Sequence, residues 1–205
     1  MFDLTDSDLL AGPVLDCPGG GASFAAEARA LGVEVVSVDP LYSTPPAELA
    51  ERTRRDTDRS SEFIGENLER YVWTFFQSRE HHLEHRRGGA RIFAADIVQH
   101  PDLYVAAELP DLPFPDRRFT LALSSHLLFT YADRLDFDFH VAALTELCRV
   151  ADQVRAYPLV DYGADPYPEI DELRTRLAER AIASEIRRVP YEFQRTASRM
   201  LVLRS

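Results

Sequence analysis

An apolar run closes on a carboxylate and then breaks into glycines in Leu15-Asp16-Cys17-Pro18-Gly19-Gly20-Gly21-Ala22-Ser23-Phe24. A strand that ends in such a turn and opens directly into a helix lets a ligand approach bare backbone at the crevice beyond the strand ends. A second apolar run ends in Asp39-Pro40, where a carboxylate is spaced to accept hydrogen bonds from both ribose hydroxyls of an adenosine. The alternative for the glycines alone is a tight turn with no ligand.

Two nucleoside ligands compete for this turn. In a dinucleotide fingerprint Gly19 and Gly21 supply the first pair, but the third glycine position falls on Phe24, which would hold helix and strand apart. Asp16 also lies where a pyrophosphate has to pass. S-adenosylmethionine has no phosphate and carries a sulfonium and an ammonium, both favoured by an acidic turn.

Further along, Ser124-Ser125-His126-Leu127-Leu128-Phe129-Thr130-Tyr131 follows a strand pattern and brings His126 toward the same crevice. A histidine there can act as general base on a substrate hydroxyl or amine, with Tyr131 orienting it; the alternative is a hydrogen-bonded structural histidine. His140 reads as a buried helix residue that could pair with His126. His81 and His85 share a helix face, but no carboxylate or cysteine completes a metal set, so no metal is expected. Cys17 and Cys148, far apart, read as small buried hydrophobes.

These residues need a frame. Short apolar runs at Val14 to Cys17, Val33 to Val38, Arg91 to Ala95, Phe119 to Ser124 and Val154 to Val160 alternate with helical stretches, the pattern of a parallel sheet covered on both faces. Helices are expected over Ala22 to Leu31, with Gly32 as its stop, over Leu135 to Val150 with a stripe of Phe139, Ala142, Ala143 and Leu147, and over Ile170 to Ala183. Glu185 to Phe193 and Met200 to Leu203 close the chain as two short strands. Between the second and third strands lies a helical insertion at about residues 43–89, capped by Ser43 or Thr44 with Pro45 at its first position and ended by Gly88 and Gly89. Its aromatic residues, with Phe75 and Phe76 inward and Trp73 at a rim, either pack the core or cover a substrate. The expectation is one α/β domain over residues 1–205 with a Rossmann-like, doubly wound, seven-stranded, mostly parallel sheet and a terminal antiparallel hairpin.

A net charge of −11, with arginine as the only basic residue type, argues against nucleic-acid and anionic-membrane partners. Arg52, Arg54, Arg55 and Arg59 are balanced by Glu48, Glu51, Asp56 and Asp58 and make no basic patch. With no leader-like start and no apolar run of membrane-spanning length, a cytoplasmic protein acting on a small molecule is expected.

Over nearly its whole length the chain resembles the class I S-adenosylmethionine-dependent methyltransferases, and more closely a group of short bacterial members. Val14 to Phe24 looks like the family's first motif, Val38-Asp39-Pro40 like its ribose-binding strand end, and Ala95-Asp96-Ile97 like its adenine-contacting segment. Leu112-Pro113-Phe114-Pro115-Asp116 through Leu128 is similar to the fourth-strand motif, and Glu146 to Val150 to the helix after it. The family's first motif usually has glycines two, four and six places after the acidic residue, where this chain has Pro18, Gly20 and Ala22; Thr120 stands where an aspartate is common. The resemblance implies Asp16, Pro18, Gly19 and Gly20 near the amino-acid end of the cofactor, Asp39 and Pro40 at the ribose, Asp96 and Ile97 at the adenine, and Ser124 or Ser125 beneath the sulfonium. On its own residues Asp96 is as readily a turn or helix cap. The activity implied is methyl transfer to O, N or C of an acceptor; the alternatives are a non-catalytic S-adenosylmethionine-binding protein and, third, a nicotinamide oxidoreductase.

Overall fold

Val14–Asp16 (β1) and Val35–Val38 (β2) pair in parallel, with Val14 opposite Val35 and Asp16 opposite Ser37, in the computed structural model, which describes residues 1–205. Tyr104–Val105 (β3) extends the sheet beside β2, while Phe119–Ser125 (β4) returns to the other side of β1 and Ala151–Tyr157 (β5) follows it. Arg199–Arg204 (β7) runs antiparallel between β5 and Ala183–Arg188 (β6), giving a seven-stranded sheet of order β3-β2-β1-β4-β5-β7-β6. The fold is α/β and Rossmann-like, mostly parallel with an antiparallel terminal pair. The chain leaves β3 at one edge and re-enters at β4 beside β1, so the strand order reverses between β1 and β4, the switch point at which sheets of this kind place a ligand crevice beyond the carboxyl ends of the strands.

Strand alternation builds two hydrophobic layers. Leu15 and Ala122 face one side, packed with Leu144, Leu147, Leu173 and Leu177 from the helices Phe137–Val150 (α5) and Ile170–Ala178 (α6). Val14, Leu121 and Leu123 face the other, with Ala25 and Ala28 of the helix Phe24–Ala30 (α2). A short helix, Asp6–Leu10 (α1), is held by a capping box between Thr5 and Asp8. Asp136 caps α5 by accepting from the Phe139 amide at 2.8 Å. Arg149, near the end of α5, donates to Glu146, Asp116 and the carbonyls of Leu112 and Phe114, which ties the loop before β4 to the helix.

Several sequence expectations are corrected between β2 and β3. Two long helices fill this interval, Pro46–Glu66 (α3) and Arg79–Gln99 (α4). Arg91 to Ala95 is therefore helix and not the third strand, and Gly88 and Gly89 lie inside α4 instead of ending it. Ala90, Phe93 and Ile97 recur by three and four residues, which places them on one helix face, and all three are buried. Phe93 and Ile97 join Leu49 of α3 and Tyr104 of β3 in a small core that fastens both helices to the sheet edge. Pro45 precedes α3 as its cap residue, and Ser43 belongs to a separate turn, Pro40–Ser43. Tyr71 to Phe76 is not helical: Tyr71 bridges to Gln194, Phe76 is 5% exposed and Phe75 points out at 57%. On α5 the buried stripe runs through His140, Val141, Leu144, Leu147 and Cys148, and Ala142 faces solvent. The fifth strand starts at Ala151 and stops before Pro158, and α6 ends at Ala178.

Candidate functional site

The carboxyl ends of β1 and β2 bring together two acidic side chains. Asp16 and Asp39 are 7% and 8% exposed, and neither forms an ion pair with an arginine. Ser37 donates to Asp16 Oδ2 at 3.2 Å, while Asp39 accepts the amides of Gly20 at 3.0 Å and Leu41 at 2.9 Å. Burial, and then the neighbouring charge of Asp39, pushes the Asp16 carboxyl up to about 7 against the pull of Ser37. Burial also raises Asp39, opposed by its two amide bonds and by Arg52, which is itself committed to Asp56 at 3.5 Å. The wall of the crevice here is electronegative and short of cations.

The glycine turn is fitted around this pair. A Cβ on Gly19 would stand 2.4 Å from the Tyr42 hydroxyl, and that hydroxyl donates to the Gly20 carbonyl at 2.9 Å. Gly20 has φ +51°, which favours glycine, and its open side meets nothing nearer than Asp39 Oδ2. The turn is thus closed behind by Tyr42 and Ser37 and bare in front. A turn of this shape and charge suits a ligand with a cationic end, whereas a pyrophosphate laid along the same backbone would face two buried carboxylates.

The opposite wall starts at the end of β4. His126 has φ 52°, is exposed, and its amide donates to the Tyr157 carbonyl at 2.8 Å. Ser125 Oγ lies 2.7 Å from His126 Nδ1 and donates toward Met1 Sδ at 3.6 Å. The 2.7 Å contact fixes the ring at Nδ1 and leaves Nε2 as its second nitrogen. Surrounding protein, followed by the charge of Arg86, lowers the imidazole below its usual range and keeps it neutral at neutral pH. A neutral imidazole on a residue that meets solvent can take a proton from an acceptor group.

No protein-family model matches the chain. It is 26% identical over 205 residues to an uncharacterised protein of Methanocaldococcus jannaschii, an alignment covering all of this chain and 90% of that one. Among solved structures it is similar to monomeric WbdD, at a TM-score of 0.48 and 15% identity over 94% of this chain and 36% of that one. WbdD with the kinase inhibitor LY294002 gives a TM-score of 0.46 at 15% identity. The chain spans 36% of the length of WbdD.

The remaining sequence candidates separate into those at the crevice and those away from it. Pro18 is half-buried beside the glycine turn, and Pro40 is exposed at the start of the turn after Asp39. Ser124 is buried in β4 opposite Ala156, leaving Ser125 as the serine that reaches the crevice. Asp96 and Ile97 are not at a strand end. They sit in the last turns of α4, where Asp96 binds Arg29 and the Tyr104 hydroxyl and Ile97 is 2% exposed in the core. The position expected of them, beyond the third strand, falls to Ala106, Ala107 and Glu108 after β3. Tyr131 makes no bond to His126 and instead carries Arg134 over its ring at 5.5 Å; Ser125 orients the imidazole. His140 does not meet His126: its nitrogens face the carbonyls of Asp136 at 2.6 Å and Leu128 at 3.0 Å.

No group of three or more His, Cys, Asp or Glu side chains gathers as a metal set. His82 is buried with its ring stacked on Phe193 at 4.5 Å, and His81 and His85 flank Phe76. Both cysteines are buried, and burial pushes the Cys148 thiol up to about 12. No helix is long and apolar enough to cross a membrane. A surface depression of about 440 Å³ between α5 and α6 contains none of these residues.

Sequence reading missed Arg86. It lies on α4 four residues after the buried His82 and four before the buried Ala90, and the spacing from His82 through Phe93 to Ile97 carried that signal once Gly88 and Gly89 are taken as helical.

Proposed function

We propose that this chain binds S-adenosylmethionine and transfers its methyl group to a small-molecule acceptor. The observation that carries the reading is the pair of buried carboxylates, Asp16 and Asp39, at the carboxyl ends of β1 and β2 beside a glycine turn with one bare side. Two such groups without a basic partner suit a ligand that brings its own positive charge. Asp39 would hold the ribose, Asp16 and the backbone from Pro18 to Gly20 the amino-acid end, and the segment after β3 the adenine. Bound there, S-adenosylmethionine supplies an electrophilic methyl group. Ser125 would hold the ring of His126, and His126 would receive the acceptor's proton on Nε2 while the crevice walls align the reacting groups and limit water.

A protein that only stored the nucleoside would gain nothing from an exposed, oriented imidazole at the open side of the crevice. The exposed position of His126, with Ser125 at its Nδ1, favours the enzyme. A nicotinamide dinucleotide is disfavoured by the same acidic pair, since its pyrophosphate would add negative charge beside Asp16.

Isothermal titration with S-adenosylmethionine, S-adenosylhomocysteine and NAD tests the reading. Micromolar binding of the first two with no heat from NAD is the expected result. Binding of NAD alone, or of none of the three, overturns it.

A further inference from the structure

The inner face of α4 is a stripe of His82, Ala90, Phe93 and Ile97, all buried. Arg86 falls within that stripe, so its side chain leaves the helix on the inner side, yet it is exposed. Its neighbour Arg87 turns toward α3 and pairs with Asp58 at 2.7 Å, while Arg86 has no carboxylate partner. An inward position that still meets water is a position on the wall of a recess. Aromatic contacts trace that recess from the segment before α4 to the end of β4: Phe75 to Tyr191 at 5.2 Å, Tyr191 to Tyr157 at 6.1 Å, and Tyr157 to His126 at 5.6 Å. Arg86, one turn beyond His82 on the same helix face, looks onto this segment: the His82 ring stacks at 4.5 Å on Phe193, two residues past Tyr191, and the charge of Arg86 is felt at both Tyr191 and His126.

The chemistry of this space is unlike that of the rest of the molecule. The chain carries 34 acidic residues against 23 basic ones, and on α3 and α4 the arginines Arg52, Arg54, Arg55, Arg59 and Arg87 all pair with carboxylates. An arginine without such a partner, directed into an aromatic recess beside an imidazole, presents a planar fork of donors to an oxyanion. The exposed edge of Phe75 and the ring of Tyr191 offer an apolar surface next to it.

We infer that the acceptor is a small aromatic acid, its carboxylate or phosphate held by Arg86 and its ring against Tyr191 and Phe75, with the group to be methylated beside His126. The word acceptor rests on the methyl-transfer reading; the anion site itself stands on the placement of Arg86. Arg86 is a binding residue here and His126 the group that meets the reacting atom.

The probes are 4-hydroxybenzoate, phenyl phosphate and the neutral 4-hydroxybenzamide, titrated into the full chain with and without S-adenosylhomocysteine. One of the two anions is expected to bind about tenfold or more tightly than the amide, and which one does so separates a carboxylate from a phosphate site. Arg86→Gln should erase that preference, and Arg86→Lys should restore part of it. The inference is overturned if the amide binds as well as both anions, if Arg86→Gln keeps the preference, or if neither anion binds. The S-adenosylhomocysteine titration distinguishes this outcome from the other: Arg86-dependent anion binding without nucleoside binding leaves the anion site standing and removes the methyl-transfer reading. Nucleoside binding without any anion preference does the reverse.

Discussion

The two walls of the crevice are built from opposite materials. At β1 and β2 the side chains are short, acidic and buried, and backbone amides and a serine hold them in place. Across from them, the imidazole of His126 after β4 and the guanidinium of Arg86 on α4 are exposed, beside the rings of Phe75 and Tyr191 and the buried Tyr157. The first wall is suited to a positively charged ligand recognised by fixed geometry, and the second to an anionic ligand recognised by longer side chains. One crevice with opposite polarity at its ends can sort two partners and keep each from the other's place. Each wall would be weakened if its charge were satisfied by the protein itself, as the carboxylates satisfy Arg29, Arg87, Arg149 and Arg155 elsewhere in the chain.

The strongest way to break this contrast is to exchange damage between the walls. Asp39→Ala removes the acceptor of two amides and of the ribose hydroxyls, and should weaken S-adenosylmethionine by about 100-fold or more, since hydrogen bonds to a charged group are worth about 1.5–3 kcal/mol each. Arg86→Gln should leave that affinity within about twofold, because a change on the far wall touches no group of the acidic one. Calorimetric titration of both variants reads the difference. Equal losses would mean that the walls are not separate sites.

A second test uses the titration of Asp16. Its carboxyl, at about 7 in the folded chain, lies above the model-peptide value of 3.8. A cationic ligand should therefore bind about tenfold less tightly at pH 6 than at pH 8, as the carboxylate becomes protonated. Stability runs the other way. A raised folded value means that the native state holds a proton the unfolded chain has lost, so stability falls as pH rises from about 4 to about 7. Asp16→Asn removes that loss, and at pH 8 it should stabilise the fold by up to about 4 kcal/mol while giving no gain near pH 4. The same variant should flatten the pH profile of binding and lower affinity. Thermal denaturation at the two pH values, beside titrations, distinguishes a carboxylate kept for binding from one kept for the fold.

How far these walls were legible from sequence differs between them, for physical reasons. Asp16, Gly19, Gly20 and Asp39 announce themselves because a strand end, a glycine turn and a second strand end are local features within one β-α-β unit. His126 was legible as the residue following a strongly apolar strand. The α4 wall was not, because Gly88-Gly89 reads as a helix stop and Ile92 and Phe93 then read as the start of a strand. Tertiary contact overrode that propensity: 21 residues of α4 are held along α3 and against β3, and the glycines cost the helix little by comparison. The true third strand, two residues long, is too short for any alternation to appear. Asp96 was consequently assigned to the wrong structural position, and the salt bridge to Arg29 that fixes it spans parts of the chain no local pattern connects. The partner of His126 was missed for a different reason, since Ser125 is adjacent in sequence and depends on the left-handed backbone at His126 to turn its hydroxyl toward the ring.

The smallest effect tests the α4 wall itself, through the two glycines that misled the sequence reading. In a helix interior, replacing glycine by alanine gains about 0.5–1 kcal/mol if the new methyl has room. At Gly88 an added Cβ would meet only the flexible end of Arg91 at 3.9 Å, so Gly88→Ala should stabilise the protein by about that amount. At Gly89 the added atom would lie 3.1 Å from Ser23 Oγ, at the entry to α2, so part or all of the same gain should be lost to crowding. Denaturant titration of the two variants compares them directly. A strand at this point, or a helix ending at Gly88, predicts no gain at Gly88. A gain at Gly88 larger than at Gly89 means that the helix bearing Arg86 runs unbroken through both glycines and passes close to Ser23, the residue that opens α2, so that α4 is anchored beside the acidic wall.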